Sequence, residues 1–372
     1  MEPRRRHPCR WLRLSLRRAR RRRPRHRRSH RRGPRRDQPW PCWNRARPDE
    51  ARIMNAEMVR PLVSAPIAQD LEVPLPESLH RFGRSTRATV TGPVDGPAVV
   101  VLGGISANRL VCGPGGWWPG MVGEEGAVDP RRHRIIGLDF IADESGQAAP
   151  SCRDQAAVLC QALDLAGVAQ ANAIVGASYG GMVALSFGQH FPERVKRIIS
   201  ISAAASAHPA ATALRELQRR VVALGMAHGA AAEALSIARG MAMLSYRTRE
   251  EFDQRFTGGL DGEEALGPTE PGSYLRARGE AFQTVMSPGR FLSLSASIDR
   301  HRIDPEAIGL PCLLIGAESD QLVPPSQLEA LATALAGPTA LRILPSLYGH
   351  DMFLKNAAQV AELVRPFLDA NP

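Results

Sequence analysis

The order of apolar and polar positions changes character at about Pro76. Beyond it, short β-branched runs alternate with stretches whose apolar residues recur three and four apart. Ala98–Ser106 reads AVVVLGGIS, a continuous apolar run closed by glycine and serine, the form of a strand buried on both faces. His133–Ile141, Ala171–Ser178, Val195–Ser202, Pro311–Asp320 and Ala340–Ser346 predict further strands. Between them, Asp154–Ala166 sets Leu159 and Leu163 on one helical face before Gly167, and Met182–His190 predicts a second helix. Ser326–Ala336 opens on Ser-Gln-Leu-Glu, the pattern of a capping box, and aligns Leu328, Leu331 and Leu335 ahead of Gly337. Such alternation predicts an α/β fold with a mostly parallel sheet flanked by helices. Residues 203–302 break it: rich in Ala, Leu, Met and Arg, they predict a helical cap inserted over the carboxyl edge of the sheet. The expected organisation is a tail at 1–53, a core at 54–202, the cap at 203–302 and the rest of the core at 303–372.

Composition and charge change this picture at one end only. The chain has 372 residues, 44% apolar and 23% charged, as globular domains do. No apolar run approaches the roughly 18 residues of a membrane span, so none is expected. The net charge of +11 suggests nucleic acid until it is divided. Residues 1–50 hold 20 Arg against four acids, which leaves the other 322 residues at about −5. The Arg, Pro and His of 1–53 cannot pack a core. Three readings of the tail stand: an arm that binds polyanions, a disordered appendage, or out-of-gene sequence upstream of a true start at Met54 or Met58. The 46 Arg against two Lys, as in GC-rich coding sequence, favour the third. With no apolar h-region an export signal is not expected. Six scattered Cys, without a CxxC pair or a Cys/His cluster, predict no bound metal and a reducing cytoplasm.

Chemistry enters at Gly176-Ala177-Ser178-Tyr179-Gly180-Gly181, between an apolar strand and a helix. In G-x-S-x-G the glycines allow a sharp turn that lifts the serine hydroxyl above the sheet. A serine needs a base, and the base a carboxylate, here in the order Ser, acid, His. Asp320 lies where Pro311–Asp320 runs out, and His350 lies in the loop past the final strand. Ser178 is therefore the candidate nucleophile, Asp320 the orienting acid and His350 the base. Gly103-Gly104-Ile105-Ser106 offers a second oxyanion donor, so the amides of Ile105 and Tyr179 are the expected pair. These residues predict acyl chemistry through an acyl-serine and leave hydrolysis and transfer equally open.

Further strings carry a resemblance. Gly116-Trp117-Trp118 with Met121-Val122-Gly123 and Asp129, the extended elbow ending in Met182, and Ala238-Arg239 with Leu244-Ser245-Tyr246-Arg247 come first. Phe252, Arg255-Phe256, Ser273-Tyr274-Leu275, Glu318-Ser319-Asp320 and Tyr348 through Leu354 follow in order. Over residues 95–370 the chain resembles the homoserine O-acyltransferases of the α/β-hydrolase type, with Tyr179 where that family usually has Met. The resemblance implies an acyl-CoA-dependent L-homoserine O-acyltransferase of methionine biosynthesis, with acyl-CoA as co-substrate, no bound cofactor, and a homodimer formed through the cap. It implies that Arg239 binds the amino acid's carboxylate and Asp351 its ammonium, with Tyr246 assisting. A small zwitterion needs one fixed cation and one fixed anion, and Arg239 and Tyr246, seven apart, share a helical face. Arg215, Arg219 and Arg220 at the start of the cap lean the donor toward succinyl-CoA over acetyl-CoA. Serine as acceptor, a carboxylesterase using water, and a polyanion-binding protein on a degenerate body are the alternatives.

Overall fold

The computed structural model describes residues 68–256, 267 and 269–370, and the predictions for 1–53 lie outside them. Among the described residues eight strands form one sheet: β1 (Gln69–Pro74), β2 (Ser85–Thr91), β3 (Ala98–Leu102), β4 (Arg134–Leu138), β5 (Ala173–Ala177), β6 (Ile198–Ile201), β7 (Cys312–Ala317) and β8 (Thr339–Leu344). Their spatial order is β1-β2-β4-β3-β5-β6-β7-β8, with β2 antiparallel to both neighbours and the run from β4 to β8 parallel. Alternation within a strand explains the two layers. Val100 and Leu102 face Leu159, Leu163, Val183 and Phe187 of α1 (Cys152–Leu165) and α2 (Tyr179–His190). Val99 and Val101 face Val360, Val364 and Leu368 of α10 (Ala357–Asp369). A strand buried on both faces has no polar side to show, hence the unbroken apolar runs.

Between β6 and β7 the chain forms α3 (Pro209–Ala227), α4 (Ala231–Tyr246), α5 (Arg249–Arg255), α6 (Glu270–Phe282) and α7 (Pro288–Asp299) among the described residues. After β7 come α8 (Pro325–Ala334) and, past β8, the short α9 (Met352–Lys355).

Two local expectations need correction. The helix expected to begin at Ser326 begins at Pro325, and no side chain caps it. Two consecutive prolines fix the entry, and proline at the first helical position loses no hydrogen bond, so Ser326 already lies inside. The capping box belongs to α1, one turn before its expected start. There Ser151 Oγ accepts from the Asp154 amide at 3.1 Å, and Asp154 Oδ2 accepts from the Ser151 amide at 2.8 Å. Leu328, Leu331 and Leu335 are buried as the pattern requires.

Candidate active site

The carboxyl rim of the sheet collects Ser178, Asp320 and His350 from three strand ends. Ser178 stands between β5 and α2 with φ +53° and ψ −119°, a conformation that a non-glycine residue adopts only where its surroundings impose it. The turn is this tight because Gly180 packs against the backbone of Leu102: a Cβ there would overlap the Leu102 carbonyl, and the Gly180 amide donates to Gly103 O at 2.8 Å. Gly349 does the same for His350. At φ +54° it passes against the Tyr246 carbonyl at the end of α4, and this sets where His350 emerges.

The three side chains form one hydrogen-bonded line. Ser178 Oγ lies 2.9 Å from His350 Nε2, and His350 Nδ1 lies 2.8 Å from Asp320 Oδ2. The other Asp320 oxygen, Oδ1, accepts from the amides of Leu322 at 2.9 Å and Val323 at 3.0 Å, so the carboxylate is fixed from both sides. All its partners are donors, as an ionised carboxylate requires; His350 then donates from Nδ1 and presents Nε2 as an acceptor to the serine. Burial disfavours the imidazolium, but the Asp320 charge and hydrogen bond, with Asp351 behind them, outweigh it. His350 is held above the ordinary histidine value, against a smaller opposing influence from Arg215.

Among the described residues, neither the Ile105 amide nor the Tyr179 amide donates to a protein acceptor. Both flank Ser178, and the N-terminus of α2 adds its positive end to the same place. The Tyr179 side chain points elsewhere. Fully buried, its hydroxyl bonds Ser297 Oγ of α7 at 2.6 Å and Gln155 Nε2 at 3.2 Å, which ties the elbow to the helices inserted after β6.

Two cavities open from Ser178 and His350. One, of about 170 Å3, also carries Arg239, Tyr246, Asp351 and Trp117. The Arg239 guanidinium lies 4.7 Å from the Phe282 ring centroid and 5.4 Å from that of Tyr246, and among the described residues no carboxylate pairs with it. Tyr246 in turn lies against the His350 ring, with centroids 5.7 Å apart. Asp351 is not wholly uncommitted: Oδ2 stands 2.8 Å from Arg247 Nε, an ion contact without the alignment of a hydrogen bond. Arg247, itself buried, also holds Glu251 at 2.8 Å. Burial works against its charge, yet Asp351 and Glu251 together keep its pKa raised. The second cavity, of about 50 Å3, reaches Arg215 of α3. Of the three arginines expected there, Arg215 lines the cavity, Arg219 pairs with Asp299, and Arg220 is exposed and outside it.

Sequence reasoning missed Ser202 and Asp299. Ser202 follows β6 with φ +50°, lines the second cavity, and keeps a buried hydroxyl without a partner among the described residues. Asp299 closes α7 and takes both Arg215 and Arg219. Nothing local marks either one, since each acquires its role from an element distant in the chain.

Residues 97–357 match the model of a family described as alpha/beta hydrolase fold. A homoserine O-succinyltransferase of Xanthomonas campestris pv. campestris is 39% identical over 74% of this chain and 76% of its own length. A homoserine O-acetyltransferase of Thermus thermophilus is 30% identical over 71% of this chain and 75% of its own. The crystal structure of a homoserine O-acetyltransferase from Bacillus anthracis superposes with a TM-score of 0.73 at 15% identity, covering 82% of this chain and 98% of that one.

Proposed function

The chain belongs to the homoserine O-acyltransferases of the α/β-hydrolase fold, and from that premise we propose that it transfers an acyl group from acyl-CoA to the hydroxyl of L-homoserine, in methionine biosynthesis. Ser178 Oγ attacks the thioester carbonyl as its proton passes to His350 Nε2. The Ile105 and Tyr179 amides receive the negative oxygen of the tetrahedral intermediate. The C–S bond then breaks, and CoA leaves with the proton from His350. Homoserine enters, gives its hydroxyl proton to His350 and attacks the acyl-serine carbonyl; the C–O bond to Ser178 breaks and the proton returns to Ser178. Asp320 keeps the imidazole in the tautomer both halves need. Kinetics of the ping-pong type follow.

The observation that carries transfer over hydrolysis is Arg239. A guanidinium without a carboxylate partner among the described residues, in the same cavity as Ser178 and Asp351, offers an amino acid's two charges their counterparts; an esterase using water has no need of them. Tyr246 supports both Arg239 and His350. Helices α3 to α7 act as the cap, and the exposed apolar residues of α3 and α4 suit a homodimer. The free Cys112, Cys152, Cys160 and Cys312 fit a cytoplasmic setting.

Release of free CoA from acyl-CoA, measured with L-homoserine, L-serine or no acceptor, tests the reading. Release that requires homoserine supports it, and Arg239→Gln should then raise the KM for homoserine by about tenfold to a hundredfold. Equal release without an acceptor would make the enzyme a hydrolase.

A further inference from the structure

The acid in the larger cavity at Ser178 is held from behind. Asp351 Oδ2 stands 2.8 Å from Arg247 Nε, while Oδ1 has no protein partner among the described residues. Arg247 lines neither cavity, and its side chain is 8% exposed, so it reaches a substrate only through Asp351. The chain around it fixes its place. Tyr246, Arg247 and Thr248 are consecutive at the junction of α4 and α5, and each meets the loop that carries His350. The Tyr246 carbonyl packs against Gly349, Arg247 takes Asp351, and Thr248 Oγ1 donates to Leu347 O at 2.5 Å.

Alone, this guanidinium would work against Asp351. The two charges cancel, and a neutral pair attracts an ammonium weakly. Glu251 changes the sum. One helical turn beyond Arg247, its Oε1 accepts from Arg247 Nη1 at 2.8 Å. Its other oxygen, Oε2, is buried and has no partner among the described residues. One cation is thus shared by two carboxylates, and the cluster keeps a surplus negative charge. Arg255 Nη1 approaches Glu251 only to 3.8 Å and is 46% exposed, so water screens most of its charge. The charge of Asp351 is still felt at His350, whose proton affinity it raises. Surplus negative charge in a buried place is costly unless a cation arrives with the substrate. Of the three residues Asp351 alone lines the cavity, where Arg239 supplies the opposite charge.

We propose that Glu251 is a positioning residue for the acceptor: by neutralising Arg247, which holds Asp351 Oδ2, it leaves Asp351 its charge for the ammonium and so sets the preference for an amino-acid alcohol over an alcohol without the amine. This rests on the reading of Asp351 as the ammonium's partner and deepens it. A Glu251 that served only to tie α5 to Arg247 would have no effect on which acceptor is chosen.

The acceptors to compare are L-homoserine and 4-hydroxybutyrate, which has the same hydroxyl and carboxylate and no ammonium. Transfer from succinyl-CoA or acetyl-CoA, whichever the wild type uses faster, is followed as free CoA. The wild type should favour homoserine in kcat/KM by about tenfold to a hundredfold. Glu251→Gln keeps the shape and removes the charge; it should lower that ratio by about threefold to thirtyfold, mainly through the homoserine KM. Glu251→Asp keeps the charge and should keep most of the preference. General damage falls on both acceptors alike and leaves the ratio in place. Should Glu251→Gln not fold, Glu251→Ala removes the same charge and is held to the same expectation. A ratio unchanged by loss of the charge, or lowered equally in Glu251→Asp, overturns the assignment. Collapse of the ratio in Asp351→Asn would in that case still keep Asp351 as the ammonium's partner. Equal use of both acceptors by the wild type removes Asp351 from that role and the inference with it.

Discussion

His350 is pulled in two directions, and the balance sets how activity should vary with pH. Burial alone would lower its proton affinity, but Asp320 and Asp351 raise it above the ordinary 6.5. In its proposed role as base it must be neutral, so the proposed acylation of Ser178 should fall away on the acid side with a midpoint above 6.5, read from kcat/KM against pH. Its contribution to stability runs the opposite way. A group whose folded pKa is raised stabilises fully below the unfolded value, and that contribution is lost as pH rises through the folded one. Asp320→Asn removes the principal raising influence and the tautomer control together. It should move the acid limb to lower pH and reduce kcat by about 10²- to 10⁴-fold. An unmoved limb would mean that another group titrates there. Ser178, Asp320 and His350 were legible in the sequence because each follows a recognisable strand in a fixed order. Ser202 and Asp299 were not: an unpartnered hydroxyl and a shared carboxylate exist only once β6, α3 and α7 have met.

At the scale of elements, the elbow between β5 and α2 depends on backbone meeting backbone. A methyl group on Gly180 overlaps the Leu102 carbonyl of β3, and neither partner is a flexible side chain that can yield. Gly180→Ala should cost about 3 kcal/mol, seen as a lower denaturation midpoint, and should lose acylation as the turn reopens. Retention of both would show that β3 has room to shift. The clasp between α3 and α7 is open to the same kind of test. Side chains of Arg215, Arg219 and Asp299 are 13%, 20% and 9% exposed, so Asp299→Ala would strand two largely buried cations. The expected loss is about 3 kcal/mol, and a loss within error of zero would place the pair in solvent. Elements differed in legibility for a physical reason. Strands β3, β5 and β7, buried on both faces, are apolar throughout. Of β1, with its pattern Gln-Asp-Leu-Glu-Val-Pro, only Val73 is fully buried, so an edge strand left little trace in hydrophobic periodicity.

On the scale of the whole molecule, the distribution of exposed apolar side chains bears on assembly. Half of the large apolar residues exposed among the described residues, such as Val94, Leu165 and Val285, lie outside α3 and α4. Isolated exposures of this kind are ordinary. Leu217, Leu224 and Met226 of α3 with Ile237 and Leu244 of α4 are instead gathered on two helices that pack together, and Leu224 is 64% exposed. Leu217 and Leu224 are seven apart, as are Ile237 and Leu244, so each pair repeats on one helical face. Covering such faces removes apolar area from water at roughly 25 cal/mol per Å2, and a second copy of the same cap supplies a matching surface under two-fold symmetry. Light scattering of the full chain should therefore give the mass of a dimer, and Leu224→Glu with Ile237→Glu should give that of a monomer. Neither residue lines the cavities at Ser178, so the variant separates assembly from chemistry. A wild-type monomer at micromolar concentration would leave these faces to another partner and remove the dimer from the account.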